Sequence, residues 1–182
     1  MPDSFVYPLS EFYSHAKLPL PAIEQIPGDA VPEPFKSLLV HNNDMTPTLE
    51  SFHKSEIHLE IVSRERRGEF YFREVVLRLD GDDRAVEFGA NKVYIGRFPE
   101  DAHDLILQER LPLGRILKNC GVQHHTEAKA FLRVTSDELI NSKFGLDQPV
   151  TLYGRKAVIC DPQNRPLSEI VEILPPALAS GS

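Results

Sequence analysis

The sequence predicts an α+β fold built on a mainly antiparallel sheet of about six strands. Two observations carry this. Between residues 56 and 96 strand-like runs follow one another through tight turns, as in an antiparallel meander. The helical segments are short and do not alternate regularly with the strands, which excludes a doubly wound parallel sheet. Composition agrees. A chain of 182 residues, 41% hydrophobic and 26% charged, is globular and long enough to bury about two-thirds of its unfolded surface. A single domain, 1–182, is therefore expected, with 1–34 as a poorly defined wrap and 177–182 as a frayed tail.

The elements follow in order. Residues 1–30 are punctuated by Pro8, Pro19, Pro21 and Pro27. A short helix over 10–15 fits, and the rest reads as extended chain on the surface. "PEPFKSLLVH" reads as a short helix with Pro34 in its first turn. "HNNDMTPTLE" follows. Thr46 is suited to cap a helix over 47–54, with Pro47 at its first position. From Glu56 the period changes to two, and Ile57, Leu59 and Ile61 alternate with polar residues. "RRGE" turns into a second strand over 69–80, and "DGDD" turns into a third over 84–96. That acidic turn lacks the spaced ligands of a calcium loop. A helical stretch runs to Gly121, its last helix opened by Pro112. Alternation returns over 122–134. A short helix capped by Thr135 or Ser136 stops at Gly145, and "DPQNR" turns a last hairpin.

Charge and motifs exclude several functions. The net charge is −7 and the pI about 5.5, so no nucleic-acid partner is expected. The basic run Arg64-Glu65-Arg66-Arg67 reads as a solvated hairpin end. Cys120 and Cys160 alone make no disulfide framework. The N-terminus lacks the basic and apolar regions of a secretory signal. No apolar stretch approaches the roughly 18 residues of a membrane span. A cytoplasmic protein with no membrane contact is the expectation. There is no dinucleotide fingerprint, P-loop or nucleophile elbow.

Four features remain as candidate chemistry. On the second strand Tyr71, Arg73, Val75, Leu77 and Leu79 share a face, so Arg73 is a lone charge in an apolar row. A guanidinium cannot be neutralised, and burying it unpaired costs several kcal/mol. It needs a protein carboxylate or a ligand anion held bidentately. On the last strand Glu169 and Glu172 lie on opposite faces. Alternation does not choose which faces the core. His124, His125 and Glu127 do not share one strand face, which argues against a metal site. Cys120 sits at a helix C-terminus, where the dipole disfavours a thiolate.

The stretches "NNDMTPTLE", "FYFREVVLRL", "LPLGRILK", "LYGRK" and "PLSEIVEILPP" resemble, in order and spacing, the chorismate lyase family. The resemblance covers roughly residues 35–176. It implies an antiparallel sheet with helices and helical flaps sealing an internal pocket. It also implies cleavage of chorismate to 4-hydroxybenzoate and pyruvate, at the entrance to ubiquinone synthesis, with no metal or organic cofactor. In the family an arginine of the strand motif grips the ligand carboxylate, and the match is Arg73. Backbone amides at Met45 and Leu113 match its further carboxylate contacts. A glutamate four residues before a proline faces the ring hydroxyl, and Glu172 with Pro176 fits. Arg155 is a candidate for the second carboxylate. The sequence departs from the family pattern in carrying Tyr153-Gly154-Arg155 where the family has Trp-Gly-Arg, and in a longer turn at "CDPQNR". A related fold serves as the ligand-sensing domain of bacterial transcription regulators. The alternative expectation is thus a domain that binds a small aromatic carboxylate without turning it over. Residues 1–30 are too short and too rich in proline to supply a helix-turn-helix.

Overall fold

The computed structural model describes residues 5–177. Its elements are α1 (Leu9–His15), β1 (Ile23–Ile26), α2 (Phe35–Leu39), α3 (Met45–His53), β2 (Ile57–Arg67), β3 (Phe70–Leu79) and β4 (Ala85–Tyr94). There follow α4 (Glu100–Leu107), α5 (Leu113–Asn119), β5 (His125–Thr135), α6 (Glu138–Phe144), β6 (Thr151–Cys160) and β7 (Pro166–Leu174). The strands form one sheet in the order β1-β5-β6-β7-β4-β3-β2, with every pairing antiparallel. The class is the α+β one expected. Two meanders, β2-β3-β4 and β5-β6-β7, join through their last strands, β4 and β7.

The sheet has seven strands rather than six. The addition is β1, "IEQI", which pairs from Ile23 opposite Val134 to Ile26 opposite Phe131. A strand of four residues between Pro21 and Pro27 carries too little pattern to announce itself. Its order comes from the unpaired edge that β5 offers. The tail expected to fray lies outside the described residues, apart from Ala177.

Two helix starts differ from expectation. Asp44, not Thr46, precedes the first helical residue of α3, with ψ 141. Pro47 is then the third helical residue, which costs nothing because that N–H has no intrahelical acceptor. The cap of α6 is Asp137, whose side chain accepts from the Ile140 amide at 2.9 Å. Ser136 instead accepts from the Val150 amide at 2.9 Å and ties β5 to β6.

Period-two alternation splits the sheet into two buried faces. On one, Phe72, Val76, Phe88, Val171 and Ile173 pack under Leu9, Phe12 and Tyr13 of α1 and Ile140 of α6. The other face is covered by α2 to α5, and its apolar core is in two parts. One part gathers Leu38, Leu39, Met45 and Leu49 over Val75, Leu77 and Leu79. The other gathers Ile106, Leu113, Ile116 and Leu117 over Val93, Ile159 and Ile170. Each fully buried side chain of this size contributes roughly 1.5–3 kcal/mol. What separates the two parts is polar.

Candidate ligand-binding site

The separation is a cavity between the sheet and the starts of α3 and α5. The sheet contributes Arg73 and Val75 from β3, Glu87 and Asn91 from β4, Arg155 from β6 and Glu172 from β7. The helices contribute Asp44, Met45 and Thr46 with Pro112, Leu113 and Gly114. Its interior volume is about 40 Å³, or about 510 Å³ when all empty space around it, open solvent included, is counted. One water needs about 10–15 Å³ of the former. On the outer side Asp44, Thr46 and Gly114 also wall a surface cleft between α3 and α5. They form the partition between cavity and solvent.

Arg73 is 1% exposed, and its Nε and Nη1 have no hydrogen-bond partner. Burial disfavours its charge. The Tyr71 hydroxyl and the Glu109 carboxylate partly offset that. Tyr71 in turn donates to Glu109, which Arg64 holds at 2.5 Å. Even so, a guanidinium stays protonated in proteins. A buried cation with open donors therefore faces the cavity without an anion.

The polar turn 41–44 explains how α3 is aimed at that cation. Arg155 donates from Nη1 to the His41 carbonyl at 2.8 Å and from Nη2 to the Asn43 carbonyl at 2.9 Å. The Ala128 amide donates to Asn42 Oδ1 at 2.9 Å. His41 Nε2 lies 2.7 Å from the Leu38 carbonyl, and its Nδ1 accepts from the Asn43 amide at 3.0 Å. One ring nitrogen donates and the other accepts, so His41 is neutral. Burial and the nearby Arg155 charge lower its pKa accordingly. Asp44 accepts from His124 Nε2 at 2.6 Å and from the Thr126 hydroxyl. His124 Nδ1 faces the Val122 carbonyl at 2.7 Å. Both ring nitrogens face acceptors, so His124 is an imidazolium. The Asp44 bond raises its pKa. Burial pushes the Asp44 carboxyl up, but the bonds from His124 and Thr126 outweigh it and the net direction is down.

The Asp44 side chain therefore makes no cap bond to α3. At α5 the preceding residue is Pro112, which also makes none. Two helix starts with amides that have no intrahelical acceptor converge here. Gly114 lets them meet. A Cβ there would lie 2.9 Å from Thr46 Oγ1 and 3.0 Å from Thr46 Cβ.

Glu172 and Arg155 are opposite each other on β7 and β6, and Arg155 Nε donates to Glu172 Oε2 at 2.7 Å. The pairing that the sequence left open for Arg73 is thus made by Arg155 and Glu172. Three of the five Arg155 N–H groups are held by protein acceptors. Glu169 is on the other face, where it accepts from the Tyr94 hydroxyl at 2.9 Å and lies 3.6 Å from Lys156 Nζ. On β4, Glu87 lines the same cavity, 5% exposed, with no partner for its Oε1. Burial and the Glu172 charge push its carboxyl well above the usual range, and Arg155 opposes them.

The structure thus brings Arg73, Glu172, Met45, Leu113 and Arg155 to one cavity. Sequence reasoning missed Glu87, Asp44 and Thr126 and assigned His124 no partner. Among the described residues no group of three His, Cys, Asp or Glu is arranged to hold a metal ion. Burial and Asp101 raise the Cys120 thiol. No described helix is long and apolar enough to cross a membrane.

No family model matches the sequence, and no curated protein matches it. Solved structures match in shape. A gene product from Staphylococcus aureus aligns over 75% of this chain and 90% of its own, with a TM-score of 0.55 at 8% identity. The effector domain of PhnF from Mycobacterium smegmatis aligns over 72% and 87%, with a TM-score of 0.52 at 13% identity. The ligand-binding domain of a protein described as a GntR-family transcriptional regulator, from Bordetella bronchiseptica, aligns over 65% and 85%, with a TM-score of 0.50 at 14% identity. At these identities the likeness establishes the fold alone.

Proposed function

We propose that this chain is a small-molecule-binding domain whose ligand is an aromatic carboxylate held by Arg73. One observation carries the reading: a guanidinium buried to 1% exposure that lines a cavity with Nε and Nη1 unpartnered. A carboxylate is the planar anion whose oxygens accept most readily from a guanidinium's N–H groups. The starts of α3 and α5 add favourable potential for an anion from the same side. Met45 and Leu113 are the residues whose amides would take part, and the Met45 side chain can cover a ring. The fold is shared with proteins described as ligand-binding and effector domains, which favours binding without turnover.

Cleavage of chorismate is the second reading. It is favoured by the two carboxyl groups, Glu172 and Glu87, across the cavity from Arg73, and by the five stretches that resemble the lyases. In that reaction the ether bond between ring and enolpyruvyl oxygen breaks and the ring loses one proton. The ring becomes aromatic, and the enolpyruvyl group takes up the proton as pyruvate. No water, oxidant or covalent nucleophile is consumed, so orientation and electrostatics suffice. Glu172 would hold the hydroxyl or exchange the proton. The second carboxylate of chorismate would have to draw on Arg155, which is already bound to Glu172, His41 and Asn43.

Incubation with chorismate, with pyruvate and 4-hydroxybenzoate measured, separates the two. The binding reading predicts no release of either product, together with calorimetric binding of 4-hydroxybenzoate that Arg73→Ala abolishes. Stoichiometric release of both products by the purified chain, lost in Arg73→Ala, would replace it with the lyase reading.

A further inference from the structure

A second cleft lies at the far end of α3. There the helix meets α2, the end of α6, the start of β4 and the end of β7. Phe35, Leu49, Phe52, Val86, Phe144 and Leu174 line it, and its volume is about 630 Å³. Small-molecule pockets are typically about 300–1,000 Å³ and mostly apolar, with a few placed polar groups. Met45 lies at one end of α3 and His53 at the other, about 12 Å apart along the axis. The cleft shares no lining residue with the Arg73 cavity. Helical spacing sets its wall. Leu49, Phe52 and His53 stand at i, i+3 and i+4 and share one face. Leu49 is buried, whereas Phe52 is 51% exposed, the most of any large apolar side chain among the described residues. Its ring is edge-on to His53, with centroids 4.9 Å apart. Scattered apolar side chains on a surface are ordinary, but one that continues an apolar cleft marks a place to bind.

The charge at the rim selects the ligand. No Asp or Glu lines the cleft, and Arg84 is its one permanent cation, in a chain of net charge −7. Arg84 Nη2 donates to His53 Nδ1 at 3.2 Å. Burial and the Arg84 charge lower the His53 pKa against the opposing pull of Asp82, so His53 is a neutral acceptor and no counter-ion. Asp82, in the adjoining turn, accepts from the Arg84 backbone amide at 3.0 Å. The guanidinium therefore meets an apolar cleft with no carboxylate in its walls. We propose that this cleft is a second ligand site, for a small amphiphile whose apolar chain lies against Phe52 and whose carboxylate pairs with Arg84. The inference is independent of the reading of the central cavity.

The test is calorimetric titration of the full chain with octanoate, octan-1-ol and octylammonium. Wild type is expected to bind octanoate about tenfold more tightly than octan-1-ol, the value of one charge-assisted hydrogen bond, and octylammonium most weakly. Arg84→Gln is expected to bind octanoate and octan-1-ol alike. Phe52→Ser is expected to weaken both about tenfold. Arg73→Met, which removes the cation of the central cavity, is expected to leave octanoate binding unchanged. The proposal is overturned if Arg84→Gln keeps the preference for octanoate. It is also overturned if Arg73→Met abolishes octanoate binding, which would put that ligand in the central cavity. Failure of wild type to bind any of the three overturns it as well. In that case removal of residues 178–182, and sedimentation of wild type beside Phe52→Ser, would tell whether the chain's own tail or a second copy takes the cleft. The ligand series on wild type reads the preference even if a variant folds poorly.

Discussion

Replacing Arg73 with methionine should make the ligand-free protein more stable and unable to bind a carboxylate. Arg73 is an apolar-flanked cation at 1% exposure with Nε and Nη1 open. Tyr71 and Glu109 offset its charge only in part. Replacing buried charges with apolar residues of similar volume is often neutral or stabilising by about 1–4 kcal/mol. Methionine is smaller, and the space it leaves adds to the cavity at a cost of about 1 kcal/mol. A net gain of about 1–2 kcal/mol is the expectation. For a chain of this size that is an upward Tm shift of roughly 2–8 °C. The assay is thermal unfolding with and without 4-hydroxybenzoate. At a hundred times Kd the ligand should stabilise wild type by about 2.7 kcal/mol and leave Arg73→Met unmoved. A less stable variant would refute the reasoning, since Arg73 would then be a structural pair rather than a waiting clamp. So would a ligand shift equal to wild type.

Three further predictions concern the frame around the clamp. Gly114→Ala sets a methyl against Thr46 within 3.0 Å. It should destabilise the fold by about 1–3 kcal/mol through overpacking, measured by urea denaturation, and should accelerate ligand exchange by loosening the partition. Arg155→Met leaves Glu172 buried without its cation and releases the turn 41–44, so a loss of about 3–5 kcal/mol is expected, read by the same denaturation. The Asp44–His124 clasp should make stability depend on pH. The His124 pKa is raised on folding. Its contribution is therefore full below its unfolded value of about 6.5 and lost as pH rises through the folded value. The Asp44 pKa is lowered. Its contribution is full above about 3.9 and lost as pH falls through the folded value. Asp44→Asn should thus cost most between these limits, and stability profiles of variant and wild type should converge outside them.

Much of this was legible in the sequence because it follows from local pattern. Period two on β3 places Arg73 among apolar residues, whatever the rest of the chain does. The glycine turn after Arg67 and the proline before Leu113 mark real boundaries. What was not legible depends on what covers each face. On β4, Glu87, Gly89 and Asn91 alternate with Val86, Phe88 and Ala90. In sequence such a face reads as solvated. Only the helices α3 and α5 turn it into a cavity wall. The cap of α3 shows the same limit. Asp44 is a strong capping residue by type, yet partners 80 and 82 residues away in the chain take its carboxylate. That diversion leaves the helix start uncapped and cannot be seen locally. The four polar residues before Met45 look like a linker, while their backbone and side chains are tied to β5 and β6.

The most direct measurement is a crystal structure of the chain with 4-hydroxybenzoate. The account predicts the carboxylate about 2.7–2.9 Å from Arg73 nitrogens, its ring under Met45, and its hydroxyl toward Glu172. A ligand bound elsewhere, with Arg73 still facing no anion, would contradict it.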